Sequence, residues 1–194
     1  MIKAVLFDLD GTIINSEEGI TKCVQYALSS FGIEEPDRKK LLCFIGPPLD
    51  PVFREKYGFD ADKAWQAVLK YRERFDKTGI FECELYEGVA DTIRKLKEAG
   101  CVIALASSKP ETACRRILEH FSLTPYFDEI VGSTLDGSIS TKQQVLEELG
   151  RRMEHMQITK DQMCLIGDNE YDVIGAEQIG LRTEERRVGK ECRL

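Results

Sequence analysis

Asp8 and Asp10 stand two residues apart where the apolar run Ala4–Phe7 gives way to Gly11-Thr12. On extended chain, residues i and i+2 face the same side, so the two carboxylates point together and repel each other. One reading is a plain turn, since Asp-Gly between apolar runs is a hairpin signal. The other is chemical: magnesium takes hard oxygen ligands, and an ionised aspartate can accept a phosphoryl group as a nucleophile. A second acidic cluster, Asp168 and Asp172 in GDNEYD, follows the apolar run Met163–Ile166 and precedes a helical stretch around Val173–Gln178. The helix dipole favours acidic residues in a first turn, which is the plain alternative here. Carboxylates gathered at one edge are costly, and a divalent cation such as Mg²⁺ removes that cost.

Two further residues belong to the same chemistry. Ser107 ends the apolar run Val102–Ala106 and offers a hydroxyl, although serines also serve as helix caps. Lys142 follows Thr141 at the first position of a helix, where the dipole disfavours a cation by about 0.3–1 kcal/mol. A phosphate bound at that helix end reverses the sign of the penalty, while a solvated lysine merely tolerates it.

Positioning these groups requires strands that end at a common edge. Short apolar runs at Ala4–Phe7, Val102–Ala106, Ile130–Val131 and Met163–Ile166 alternate with stretches of helical period, the pattern of a parallel sheet covered by helices. Ala90–Ala99 reads as a helix stopped by Gly100, Pro110 opens the next, and Thr141-Lys142-Gln143-Gln144 has the capping-box form. From Ser16 to Cys83 no second strand is legible. Ile20, Cys23, Val24, Ala27, Leu28 and Phe31 repeat at helical spacing, as do Ala64, Trp65, Val68, Leu69, Arg72 and Phe75. Asp50-Pro51 is expected to open a helix between them. The expected organisation is an α/β core over 1–15 and 84–181, a helical insert over 16–83 that acts as a lid, and a tail over 182–194.

The chain of 194 residues carries 27 basic and 34 acidic side chains, a formal charge of −7, with 42% hydrophobic residues. It can bury a core, and its acidity argues against a nucleic-acid polymer as partner, because such binding rests on basic surface. An anionic substrate must then meet local cations or a metal. No apolar run is long enough to span a bilayer, and MIKAVLFDLDGT is unlike a secretory leader, so a cytoplasmic protein without a membrane partner is expected. Seven scattered cysteines without a C-x-x-C pair suit reduced thiols.

In order along the chain, Asp8-Leu9-Asp10-Gly11-Thr12, Ser107 in ALASSKP, Lys142, and Gly167-Asp168 with Asp172 resemble the four motifs of the haloacid-dehalogenase-like phosphatase superfamily. The resemblance covers about residues 1–181 and looks closest to the branch of phosphoglycolate phosphatases and 5′-nucleotidase-type enzymes, with Phe44–Leu49 and Tyr71–Phe75 adding to the likeness. It implies a Rossmannoid core with an all-helical cap, and a Mg²⁺-dependent hydrolase of a small phosphorylated metabolite. Asp8 would be the nucleophile, and Asp10 the acid and then the base. The metal would lie on the Asp8 carboxylate, the Asp10 backbone carbonyl and the Asp168 carboxylate, with Asp172 in support, while Ser107 and Lys142 would hold the phosphoryl oxygens. Gly46, Arg54, Arg72 and Lys109 are candidates for selecting the substrate, taken as cap residues.

Asp10 sets the chain apart from dehalogenases and phosphonatases, which lack an aspartate there. A β-phosphoglucomutase-like phosphotransferase keeps both aspartates and remains an alternative, as does a non-catalytic phosphoryl-binding relative. A signalling receiver combines the same residue types in another order, with its acceptor on a later strand and no large helical insert. RTEERRVGKECRL, Arg182–Leu194, lacks an apolar run and resembles the translation of a sequencing-library adapter, so a non-native tail in place of a last strand and helix is expected.

Overall fold

The computed structural model describes residues 1–185. In chain order its first half holds β1 (Ala4–Phe7), β2 (Ile14–Asn15), α1 (Glu17–Ser29), α2 (Leu49–Tyr57), α3 (Ala61–Phe75) and β3 (Glu84–Leu85). Its second half holds α4 (Val89–Glu98), β4 (Val102–Pro110), α5 (Glu111–His120), β5 (Glu129–Ser133), α6 (Lys142–Met153), β6 (Met163–Gly167), α7 (Glu170–Gln178) and β7 (Arg182–Glu185).

Five strands form one sheet in the order β5-β4-β1-β6-β7, every neighbouring pair parallel. Period-two alternation divides each strand between two buried faces. Ala4, Leu6, Ala104, Ala106, Met163 and Leu165 pack with Val145, Leu146, Leu149 and Met153 of α6 and with Ala176 of α7. Val5, Phe7, Ile103 and Leu105 turn the other way and are equally buried. On that account the strands read as continuous apolar runs, and the expected α/β parallel-sheet fold is the one found.

The chain forms two compact units, Met1–Ile14 with Leu85 onward, and Asn15–Glu84. Within the second, α1 buries Cys23, Val24, Ala27 and Leu28, and α3 buries Ala64, Ala67, Val68, Tyr71 and Phe75. The Phe44 and Phe53 rings meet at 4.8 Å beside α2. Arg74 grips both oxygens of Glu82 at 2.6 and 3.0 Å, and Lys22 reaches the same carboxylate at 3.2 Å. The Gly19 amide donates to the Glu82 carbonyl at 2.9 Å, tying the start of α1 to the segment after α3.

Four local expectations change. The two-residue strands β2 and β3, too short to show alternation, pair with each other where the chain leaves and re-enters the sheet-bearing unit. α2 starts at Leu49 after Pro48, not at Asp50, so Pro51 sits inside the first turn, where its missing N–H has no intrahelical acceptor to lose. β4 continues past Ala106 to Pro110, with a register irregularity against β5 over that extension. Arg182–Glu185, expected to begin a tail, pairs along β6 as the edge strand β7. The rest of the expected tail lies outside the described residues.

Candidate active site

β1 sits in the middle of the sheet with parallel partners on both sides, so Asp10-Gly11 does not fold it back into a hairpin. Instead the chain makes a compact turn: the amides of Ile13 and Ile14 both donate to the Leu9 carbonyl, at 2.9 and 3.0 Å. Gly11 takes φ +84° in this turn, and a Cβ there would collide with the Asp168 carboxylate. A glycine therefore lets the ends of β1 and β6 approach.

Asp8 is 4% exposed, Asp10 8%, Ser107 2%, Lys142 5% and Asp172 1%. Lys142, the first residue of α6, has three ammonium protons and three close oxygens: Asp8 Oδ1 at 2.6 Å, Asp172 Oδ1 at 2.6 Å and the Ala106 carbonyl at 2.7 Å. The helix that carries it is fixed by the expected capping box between Thr141 and Gln144. Asp172 is held from its other oxygen as well, since Oδ2 accepts from the amides of Asp168 and Asn169 at 3.2 and 3.3 Å. The Ser107 hydroxyl accepts from the Lys109 amide at 3.3 Å.

Asp10 has its own lysine. Lys109 Nζ lies 2.7 Å from Asp10 Oδ2 and 3.0 Å from Oδ1, with both side chains nearly buried. Sequence reasoning grouped Lys109 with the insert. It belongs instead to β4, two residues beyond Ser107 and in the irregular stretch that ends the strand. The i, i+2 spacing from Ser107 was the available signal, hidden by the expectation that the strand stops at Ala106.

Carboxylate oxygens of Asp8, Asp168 and Asp172 lie within 4.8 Å of one another. Burial pushes Asp8 up to about 7, with Asp172 and Asp10 adding to the rise and Lys142 opposing it. Burial and the Asp172 charge raise Asp168 as well. Thr12 and Asn169 reach Asp168 Oδ1 at 3.4 Å, the long limit of hydrogen bonding. Four carboxylates against two ammonium groups leave a deficit of positive charge at this edge. Hard oxygens, a raised Asp8 and a weakly bonded Asp168 fit a divalent cation of magnesium type. The carboxylate of Asp10 is outside this triad, and Asp172, expected as a support, is inside it.

The structure thus brings Asp8, Asp10, Ser107, Lys142, Asp168 and Asp172 to the carboxyl ends of β1, β4 and β6 and the first turns of α6 and α7, the ligand edge of an open α/β sheet. Gly46, Arg54 and Arg72 lie in the helical unit. There Arg54 is exposed on α2, and the Arg72 guanidinium stacks 5.4 Å from the Trp65 ring centroid.

Residues 5–184 match the family described as haloacid dehalogenase-like hydrolase. A 5′-nucleotidase of Pseudomonas aeruginosa is 40% identical over 177 residues, which are 91% of this chain and 79% of that one. The tyrosine-protein kinase PtkA of Mycobacterium bovis is 32% identical over 179 residues, 92% of this chain and 60% of that protein. A crystal structure of a predicted phosphatase from Clostridium acetobutylicum superposes with a TM-score of 0.87 at 45% identity, covering 94% of this chain and 84% of that one. With the motif residues gathered at one sheet edge and this match over nearly the whole length, the chain belongs to the haloacid dehalogenase-like hydrolases, as a phosphatase-type, phosphoric monoester hydrolase.

Proposed function

We propose that the protein hydrolyses a small phosphorylated metabolite through an aspartyl-phosphate on Asp8 in a Mg²⁺-dependent reaction. A nucleoside 5′-monophosphate is the favoured ester and 2-phosphoglycolate the alternative. The observation that carries the reading is the pairing of buried Asp8 with Lys142 beside Asp168, while Asp10, two residues on, stands on a separate lysine. The 40% identity with a 5′-nucleotidase favours the nucleotide.

In this reading the Asp8 carboxylate attacks phosphorus and the ester P–O bond breaks as Asp10 gives its proton to the leaving oxygen. Asp10, now a carboxylate, then takes a proton from the water that attacks the aspartyl-phosphate, which returns Asp8 and releases phosphate. Ser107 and Lys142 orient the phosphoryl oxygens, Lys142 exchanging one of its protein acceptors for one of them. Asp8, Asp168 and the Asp10 backbone carbonyl would hold Mg²⁺, with Asp172 supporting that shell; the ion supplies charge neutralisation of the phosphoryl group. The helical unit would select the ester, with Gly46, Arg54 and Arg72 as candidate contacts, and a cytoplasmic location belongs to the same proposal.

The test is phosphate release from an aryl phosphate, nucleoside 5′-monophosphates, 2-phosphoglycolate and hexose phosphates, with and without Mg²⁺, in the parent and in Asp8→Asn. Release that needs Mg²⁺ and disappears in Asp8→Asn is expected, with a nucleotide turned over best. Equal release by Asp8→Asn and the parent would sink the nucleophile assignment.

A further inference from the structure

We infer that Lys109 is a positioning residue for the proton-transfer carboxylate, gripping Asp10 by both oxygens so that it faces the leaving oxygen; this rests on the phosphatase reading above. The grip is two-pronged, at 2.7 and 3.0 Å, which fixes the rotation of the carboxylate as well as its place. It is also sheltered, with the Lys109 and Asp10 side chains 8% and 10% exposed, so water does little to loosen it.

The arrangement divides two lysines between two carboxylates. Lys142 holds Asp8, which must stay an anion to attack, and Lys109 holds Asp10, which must pass a proton out and take one back. β1 and β4 are parallel neighbours, and Asp8 and Asp10 follow the end of β1 while Ser107 and Lys109 lie in the last part of β4, so the two lysine–carboxylate pairs gather at one end of the sheet. Without Lys109 the Asp10 carboxylate loses this grip and is left nearly buried without its ion-pair partner. In the first half-reaction the Asp8 Oδ–P bond forms and the ester P–O bond breaks as the Asp10 proton moves to the ester oxygen, leaving a carboxylate beside the Lys109 ammonium. In the second half that carboxylate takes a proton from water as the water O–P bond forms and the Asp8 Oδ–P bond breaks, which returns the Asp8 carboxylate and releases phosphate. Lys109 keeps its own protons throughout.

The experiment compares two esters in single-turnover release of the alcohol or phenol, which isolates the first half-reaction. A nucleoside 5′-monophosphate has an alkoxide leaving group that needs a proton; p-nitrophenyl phosphate has a phenolate that does not. For Lys109→Met we expect release to fall roughly 10–100-fold with the nucleotide, a part of the 10²–10⁴ that general acid catalysis supplies. With p-nitrophenyl phosphate the fall is less than about threefold, since no acid assistance is lost. KM stays near the parent value, Lys109→Arg restores most of the difference, and Lys109→Met adds little on top of Asp10→Asn.

Equal losses on the two esters, or a raised KM with kcat unchanged, would overturn the inference, the latter making Lys109 a substrate contact. If Asp10→Asn shows the leaving-group preference and a folded Lys109→Met does not, the inference fails alone. If Asp10→Asn shows no preference either, the assignment of Asp10 as the acid fails with it. Circular dichroism checks the fold of each variant, and Lys109→Gln, which keeps an N–H donor group without the charge, carries the same comparison if Lys109→Met does not fold.

Discussion

At Asp8 stability and function pull in opposite directions. A carboxylate driven up to about 7 by burial and by Asp172 and Asp10 is one whose charge the fold holds at a cost, offset mainly by Lys142. Asp8→Asn keeps the shape and removes the charge, so we expect a thermal midpoint at or above the parent's. Phosphate release falls by roughly 10⁴-fold or more, as it does when a nucleophile is removed. Calorimetry alongside the phosphate assay checks both. Asp8, Asp10, Lys142 and Asp168 were legible in the sequence because each breaks a local rule: paired like charges, a cation at a helix N-terminus, acids after an apolar run. Lys109 was not placed correctly, because a lysine before Pro110 breaks no such rule, and its one signal, the i, i+2 spacing from Ser107, tells only once the strand is known to run past Ala106.

At the level of elements, α6 and α7 meet where Gly175 faces Lys142. A Cβ on Gly175 would stand 2.7 Å from Lys142 Cγ and 2.9 Å from Lys142 Cβ. Alanine would gain up to about 1 kcal/mol of helix propensity, but crowding a packed contact costs about 1–3 kcal/mol. Since that lysine stem is pinned at its far end by three oxygens, the clash prevails. Gly175→Ala should lower unfolding free energy in urea by about 1 kcal/mol and reduce turnover by displacing Lys142. In the helical unit, the Arg74 hydrogen bonds hold Glu82 below its ordinary value against the opposing effect of burial, with Lys22 assisting. The stability this supplies is complete above the unfolded glutamate value of about 4.3 and is lost as pH falls through the lower folded value. Glu82→Gln should therefore cost about 1–2 kcal/mol at pH 7, as hydrogen bonds between charged groups do. The gap to the parent should close in a series of urea titrations carried into acid. These helices were readable from their apolar period. Their boundaries were not, since Pro48 rather than Asp50 precedes α2 and the two-residue β2 and β3 carry no pattern.

For the molecule as a whole, the carboxylate edge predicts a ligand-dependent stability. Mg²⁺ at a hundred times its dissociation constant adds about 2.7 kcal/mol by mass action, if the unfolded chain does not bind it. The thermal midpoint should rise with added Mg²⁺ and fall back with chelator, and Asp168→Asn should abolish the shift while leaving the metal-free midpoint near the parent's. The parallel sheet was legible because both of its faces are covered, which makes its inner strands plain apolar runs. The edge strand was not, because Arg182–Glu185 is made of three charged residues and Thr183 and offers no such run.

The sheet order has one more consequence, for synthesis on the ribosome. β1, all four of whose residues are buried in the finished fold, is made before the other strands of its sheet, and its neighbours β4 and β6 come only after the helical insert. Lys142 follows Asp8 by 134 residues, which at about 5–20 residues per second is on the order of ten seconds of translation. The insert, contiguous from Asn15 to Glu84, can collapse within that interval while β1 waits with both edges bare. The strand that carries the nucleophile thus emerges ahead of the rest of its sheet and is among the last of it to be sheltered, and nascent-chain chaperones have their opportunity to bind it in between.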